Sequence, residues 1–404
     1  MRVRHLRSTV ALVTLGLLLL AACSDSKSNT STSSGGNGSN ASSGTIAASD
    51  FAADFAAMAK VKDLAAKGKG LIGVLLPDTT TSARYESFDR PYLEKAFQTA
   101  GLSKDQYKID NAQGSASTMQ TQAEADITNG ATVLLVDALD SGSGAAIESA
   151  AAAKGVRVID YDRLVKGGDP DRVYVSFDNV EVGKLIGQGF IDCATDWKVA
   201  KPNVLVMDGD PTDNNAGLFA QGYNGVLQPK FDSGDYVKVG EPAGTWTPTV
   251  AATTFEQQYT ANPNINSAVT PNDDNANAVI ASLQRQQIPA KTFPTTGQDA
   301  STSGLQNILK GYQCGTVYKP IYLEAQAAAA VAIYMRAGED PPSALVNGTT
   351  KDTQANTDVP SVLLKPTWVT VDNMSATVVK DGAVTVAALC VTAVATQCSA
   401  AGIK

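Results

Sequence analysis

From residue 71 onward, short apolar runs alternate with longer stretches whose apolar positions recur at helical spacing. The runs 71–76, 107–109, 133–137, 156–160 and 173–177 read as strands. Between them, 77–90 is a polar loop, and 91–100, 117–128 and 143–154 read as helices, the first with Pro91 in its opening turn. After Asp178-Asn179 the alternation resumes, with helices expected at 182–193, 215–228, 248–260 and 275–286. Strands are expected there at 204–207, 236–239, 267–270 and 293–297. A shorter section follows: helix 301–310, strand 316–318, alanine-rich helix 321–336, a polar turn-rich stretch 338–360 and strand 361–365. The pattern leaves 369–404 unassigned. Upstream, 51–69 reads as a leading helix. Strand and helix in strict alternation imply right-handed βαβ units, hence parallel sheets covered on both faces.

The first fifty residues follow a different pattern. Arg2, Arg4 and Arg7 precede the apolar run 10–20, and Leu20-Ala21-Ala22 leads into Cys23. A basic start, a short apolar core and small residues before a cut form a secretory signal over 1–22. The run is too short to span a bilayer. Leu-Ala-Ala-Cys resembles the bacterial lipobox, so Cys23 is the expected lipid acceptor. The mature chain is then extracytoplasmic and held to the cell membrane by acyl chains. Residues 23–50 are rich in Ser, Gly, Asn and Thr and read as a flexible tether.

Composition narrows the chemistry. The 404 residues carry a formal charge of −8, and losing three arginines with the signal makes the remainder more acidic still. No basic face remains for nucleic acid. The single histidine, His5, leaves with the signal, so Ser-His-Asp catalysis and imidazole metal sites are excluded from the mature chain. Of five cysteines, Cys193, Cys314, Cys390 and Cys398 remain beyond Cys23, an even number in an exported chain, consistent with disulfides. Three connectivities are possible, and nearness in sequence favours Cys390 with Cys398. Asp208, Asp210 and Asp213 have the look of a calcium loop, but the twelfth position is Phe219 where a glutamate is required. The glycines of 183–189 lack the G-x-G-x-x-G spacing. Neither metal nor cofactor is expected.

In open parallel sheets ligands bind beyond the carboxyl ends of the strands. Here those ends carry planar polar and aromatic groups. They are Arg84-Tyr85 after the first strand, Tyr161-Asp162-Arg163 after the fourth, and Asp213-Asn214-Asn215 after 204–207. Trp246, Asn272-Asp273, Gly297-Gln298-Asp299 and Lys319 follow. Carboxylate, guanidinium and amide groups make paired, charge-assisted hydrogen bonds to hydroxyls, and an indole covers a C–H face. Asn214 and Asn272 also suit helix caps. Asp137 and Asp140 close 133–137 without an evident role.

The runs Y-D-R at 161–163, S-F-D-N at 176–179, D-N-N at 213–215, G-Q-D-A at 297–300 and T-V-Y-K-P at 316–320 occur together and in order. With them the chain resembles the periplasmic sugar-binding proteins of ABC transporters, the type I ribose/xylose family, and within it the D-xylose-binding branch. The resemblance spans about 71–380. It implies two Rossmann-like lobes with parallel sheets joined by a three-crossing hinge, near 177–180, 298–300 and 338–360. The lobes would comprise 71–178 with 299–337, and 179–298 with 360–404. It further implies a monomer that binds a monosaccharide through Arg84, Tyr85, Asp162, Arg163, Asn214, Asn215, Trp246, Asn272, Asp273, Asp299 and Lys319. Such a protein hands its ligand to a membrane permease and performs no covalent chemistry. A sugar sensor docking on a receptor, and a secreted carboxylate-dependent carbohydrate-active enzyme, are the alternatives.

Overall fold

The computed structural model describes residues 45–79, 82 and 84–404. The expected signal 1–22, the lipid acceptor Cys23 and the tether as far as 44 lie outside the described residues.

Five parallel strands come first: β1 Leu71–Leu76, β2 Tyr107–Asn111, β3 Ala131–Val136, β4 Arg157–Tyr161 and β5 Val173–Phe177. The second half supplies β6 Asn203–Val206, β7 Val237–Gly240, β8 Ser267–Val269 and β9 Thr316–Tyr318. An antiparallel pair, β10 Gly348–Asp352 and β11 Thr357–Leu364, follows, and the three-residue β12 Thr367–Val369 ends the series. The first sheet has seven strands in the order β10-β11-β5-β4-β3-β1-β2. In the second lobe β7-β6-β8 are hydrogen-bonded, bridges at Thr295 and Gln298 extend them, and β9 pairs with β12. The strands β1, β3, β4 and β5 are rich in Val, Leu and Ile and have no exposed residue, because helices cover both faces.

Many helices start at a strand-to-helix corner on a side chain that accepts a backbone N–H. Ser115, Asp140, Asp178, Asp213, Asn272 and Ser301 all do so. Capping satisfies donors that would otherwise be orphaned. It also fixes the corners that carry the candidate site.

The chain crosses between lobes three times, but two crossings lie elsewhere than expected. The first follows β5 into helix Asn179–Asp196. The second follows β9 into helix Ile321–Arg336, which packs on β3, β4 and β5. The third joins β11 to β12. Residues 299–319 therefore stand with the second lobe, and 348–364 with the first, correcting the expected boundaries at 299–337 and 360–404. The physical reason is that β9 and β12 are three-residue strands paired across some fifty positions. No local pattern encodes that pairing.

Smaller departures follow the same logic. The stretch 338–360 holds β10 and the start of β11, a hairpin whose polar outer strand carries no apolar alternation. The expected strand 293–297 makes a single isolated bridge, at Thr295. The leading helix is broken: Phe55 sits at φ 65, and helical turns run only over Ala56–Val61 and Lys62–Lys67. Residues 45–50, expected in the tether, are docked, with Ile46 buried and the Ala48 N–H donating to Ala344 C=O at 3.2 Å. The helix expected from 91 begins earlier, with a wide π-type turn over Tyr85–Asp89 ahead of Arg90–Thr99.

Cys193 is bonded to Cys314, and Cys390 to Cys398. Both bridges lie within the second lobe. The second closes the terminal segment, whose Val384, Leu389, Val394 and Ile403 pack on Leu305 and Leu309.

Candidate functional site

The turn after β1 sends Arg84 into the first lobe. Its Nε and Nη2 fork onto the two oxygens of Asp89 at 2.9 and 2.7 Å. Nη2 also reaches Glu324 Oε2 at 2.7 Å, and Nη1 reaches Asp162 Oδ1 at 3.1 Å. One buried guanidinium thus stands among three buried carboxylates. Tyr161 Oη adds a bond to Asp89 at 2.5 Å. Burial raises the carboxyl of Asp162, but Arg84, Lys319 and Arg163 outweigh it and hold that group well below the usual carboxylate range. Burial pushes Glu324 up to about 8 against the pull of Arg84. The corner that presents Asp162 has the left-handed φ of 59, a conformation uncommon for any residue but glycine. Such a conformation in a polar corner is a pointer towards function.

Arg163 lies beside it. Its Nη2 donates to Tyr85 Oη at 2.9 Å, and its guanidinium carbon lies 5.7 Å from the Tyr85 ring centroid. Across the interface between lobes, its Nε stands 3.5 Å from Asp213 Oδ2.

The second lobe contributes the opposite wall. Asp213 caps its helix through the Asn215 N–H at 2.9 Å and accepts from Trp246 Nε1 at 3.0 Å. The indole lies flat on Gly209, where any side chain would collide with it, and Phe219 meets it edge-on at 6.4 Å. Asn215 Nδ2 crosses to the Asp162 carbonyl at 2.8 Å. Asp299, at φ 94, accepts from Gln298 Nε2 at 2.9 Å. Lys319 Nζ stands 3.6 Å from Asp162 and 3.7 Å from Asp299. At the rim, Ser141 Oγ and Lys166 Nζ donate to the carbonyls of Thr212 and Pro211 at 3.4 and 3.3 Å. The two lobes are closed on each other.

Nine of the eleven residues expected from the sequence line one cavity of about 40 Å³: Arg84, Tyr85, Asp162, Arg163, Asn215, Trp246, Asn272, Asp299 and Lys319. Asn214 and Asp273 do not. Asn214 is the first residue of its helix and is buried off the cavity. Asp273 turns into the second lobe, accepting from Gln313 Nε2 and the Ser301 N–H at 2.7 Å each, and burial pushes it up to about 7. Asn214 and Asp273 each follow a capping residue, Asp213 and Asn272, that itself lines the cavity, and one helical step of about 100° turns the next side chain away. Asn272 does both jobs, capping through the Asn275 N–H at 2.9 Å while lining the cavity.

Four further residues line the cavity: Ser82 and Phe219, which carried no expectation there, and Asp213 and Gln298, which the sequence places at the ligand-facing strand ends without a ligand role. Behind the wall, Asp89 and Glu324 hold Arg84. Glu324 left one signal, a lone acid in an alanine-rich apolar run; Asp89 left none.

The family model described as a periplasmic binding protein domain matches residues 72–340. The chain belongs to the periplasmic binding protein family. It is 36% identical over 279 residues to the D-xylose-binding periplasmic protein of Escherichia coli, covering 68% of this chain and 80% of that one. It is 30% identical over 337 residues to a multiple sugar-binding periplasmic receptor of Rhizobium radiobacter, covering 78% and 91%. Among solved structures it resembles a carbohydrate transporter solute binding protein from Chloroflexus aurantiacus in complex with D-glucose. There the TM-score is 0.69 at 28% identity, covering 79% of this chain and 98% of that one. Two α/β lobes with a cleft of polar groups between them are thus the periplasmic binding protein architecture, here with the three crossings described above. No helix among the described residues is long and apolar enough to cross a membrane.

Proposed function

We propose that the protein is the lipid-anchored substrate-binding component of an ABC transporter for a neutral monosaccharide, with D-xylose the foremost candidate. The observation that carries this reading is a small cavity to which both lobes contribute forked, charged and amide groups around an indole. Arg84, Arg163, Lys319 and the site carboxylates suit a ring of hydroxyls, and Trp246 suits its C–H face. The relatives named for D-xylose and for multiple sugars support a sugar as ligand. The mechanism is closure. Groups divided between lobes meet on one ligand, which favours the closed form by its differential affinity for it. The closed, monomeric complex is then read by a membrane permease outside the cytoplasm.

A thermal-shift screen over pentoses and hexoses, followed by calorimetry, tests the reading. D-xylose is expected to raise the melting temperature most; no shift with any monosaccharide refutes it. The Rhizobium radiobacter relative is named a receptor, which favours a sensing role as the second reading. Deleting the chain would then abolish a sugar response while sugar uptake continues.

Two further outcomes are expected. Gly209→Ala places a Cβ inside the Trp246 ring. Overpacking of this kind costs about 1–3 kcal/mol, so calorimetry should show roughly tenfold weaker sugar binding. Cys23→Ser should abolish incorporation of a palmitate analogue and release the protein from the membrane fraction. Retention of label would remove Cys23 as the acceptor.

A further inference from the structure

Asp137, the residue after β3, is fully buried, and neither of its carboxylate oxygens accepts a hydrogen bond from a described residue. It does not line the cavity. A buried carboxylate without donors is costly, and among the described residues the cation that contacts it is Arg163, whose Nε stands 3.5 Å from Asp137 Oδ1. The same Nε stands 3.5 Å from Asp213 Oδ2. Arg163 is therefore equidistant from two carboxylates, one in its own lobe and one in the other. Asp213 has further partners in the second lobe, the Asn215 N–H and Trp246 Nε1. When the lobes part, Asp213 leaves with those partners, and Asp137 remains beside the arginine.

We propose that Asp137 is a positioning residue that serves as the counter-ion of Arg163 in the open cleft, and that closure on a ligand substitutes Asp213 for it, with net proton uptake at Asp137. The proposal rests on the reading of the protein as a closing sugar-binding protein. The surroundings of Asp137 set the direction. Arg163 and Arg84 face it from the corner after β4 and the turn after β1, against Asp162, Asp89 and the Tyr85 phenol from the same two segments. Asp213 adds a third carboxylate beside Arg163 from the second lobe. On its own corner, Asp140 is occupied by capping Ser143 at 2.8 Å. Burial raises the Asp137 carboxyl well above the usual range, Arg163 draws it down, and Asp162 raises it again. Closure expels water and brings in another negative charge, and both favour the neutral acid. The closed form thus holds the proton more tightly than the open form. Binding is strongest at low pH and weakens as pH rises past the open-form titration, until both forms are ionised.

Calorimetry of D-xylose between pH 5.5 and 8, in buffers of different ionisation enthalpy, counts the protons exchanged. The wild type should take up protons and weaken by at least about threefold across this range, equivalent to half a unit of differential proton affinity. Asp137→Asn, which mimics the neutral acid, should take up none and bind at pH 8 at least about threefold tighter than wild type. A role in folding alone would weaken binding instead. Asp213→Asn should bind more weakly and lose most of the uptake. Glu324→Gln should keep it, which separates Asp137 from Glu324; Asp213, which burial also raises, is separated by the uptake lost in Asp137→Asn while Asp213 is intact. Uptake that persists in Asp137→Asn, or weaker binding of that variant at every pH, overturns the proposal and leaves the functional reading standing. A wild type that binds no monosaccharide refutes both.

Discussion

Arg84→Ala is expected to lower the free energy of unfolding by about 3–5 kcal/mol and to abolish measurable sugar binding. The guanidinium is the cation shared by Asp89, Asp162 and Glu324, at 2.7 to 3.1 Å, and all four side chains are buried. Removing it leaves Asp89 and Glu324 buried without a cation, and Asp162 with Lys319. Breaking a buried pair by deleting one partner is far costlier than replacing the pair whole. The triple change Arg84→Met with Asp89→Leu and Glu324→Leu should therefore recover part of the stability without recovering binding. The single variant should also be the more acid-tolerant protein relative to its own stability at neutral pH, because protonation relieves its uncompensated carboxylates. Denaturant midpoints and calorimetry decide the matter. A loss below about 1 kcal/mol would mean that solvent reaches the cluster.

Arg163→Ala and Asp299→Ala are each expected to weaken sugar binding by at least about tenfold, or 1.4 kcal/mol, with the fold retained. Neither sits in the core of its lobe; both face the cavity from opposite sides. Losing Arg163 leaves Asp137 without its contacting cation and removes a donor to Tyr85 Oη, and losing Asp299 leaves Lys319 with Asp162 alone. Polar partners left unpaired in a closed, dry cleft cost more than the bond itself. Because Asp299 occupies the left-handed region, Asp299→Gly separates backbone from side chain. It should relax the backbone yet bind as poorly as Asp299→Ala. Unchanged affinity in both alanine variants would remove these residues from the site.

Much of this arrangement was legible in the primary structure because the determinants are local. A Val- and Leu-rich run such as 71–76 can only be a covered strand, and Asp162-Arg163 at the end of β4 can only lie on the ligand-facing edge of a parallel sheet. What escaped depends on partners distant in sequence. The three residues of β9 acquire their lobe from pairing with β12, and the hairpin β10–β11 acquires its place from pairing with β5. Asn214 and Asn215 look equivalent as letters; helix phase alone sends one to the cleft and the other away. Asp89 reads as an ordinary surface acid until Arg84 and Tyr161 are folded onto it.

The ring of acids around the cleft also bears on what the protein turns away. Three cations, Arg84, Arg163 and Lys319, stand against Asp89, Asp137, Asp162, Asp213, Asp299 and Glu324. Every guanidinium and ammonium already has an anionic neighbour, so a solute bearing its own carboxylate or phosphate would find repulsion rather than a vacant counter-charge. Uronic acids and phosphorylated sugars of otherwise suitable shape would be refused at this door, and the importer behind it would see only uncharged cargo.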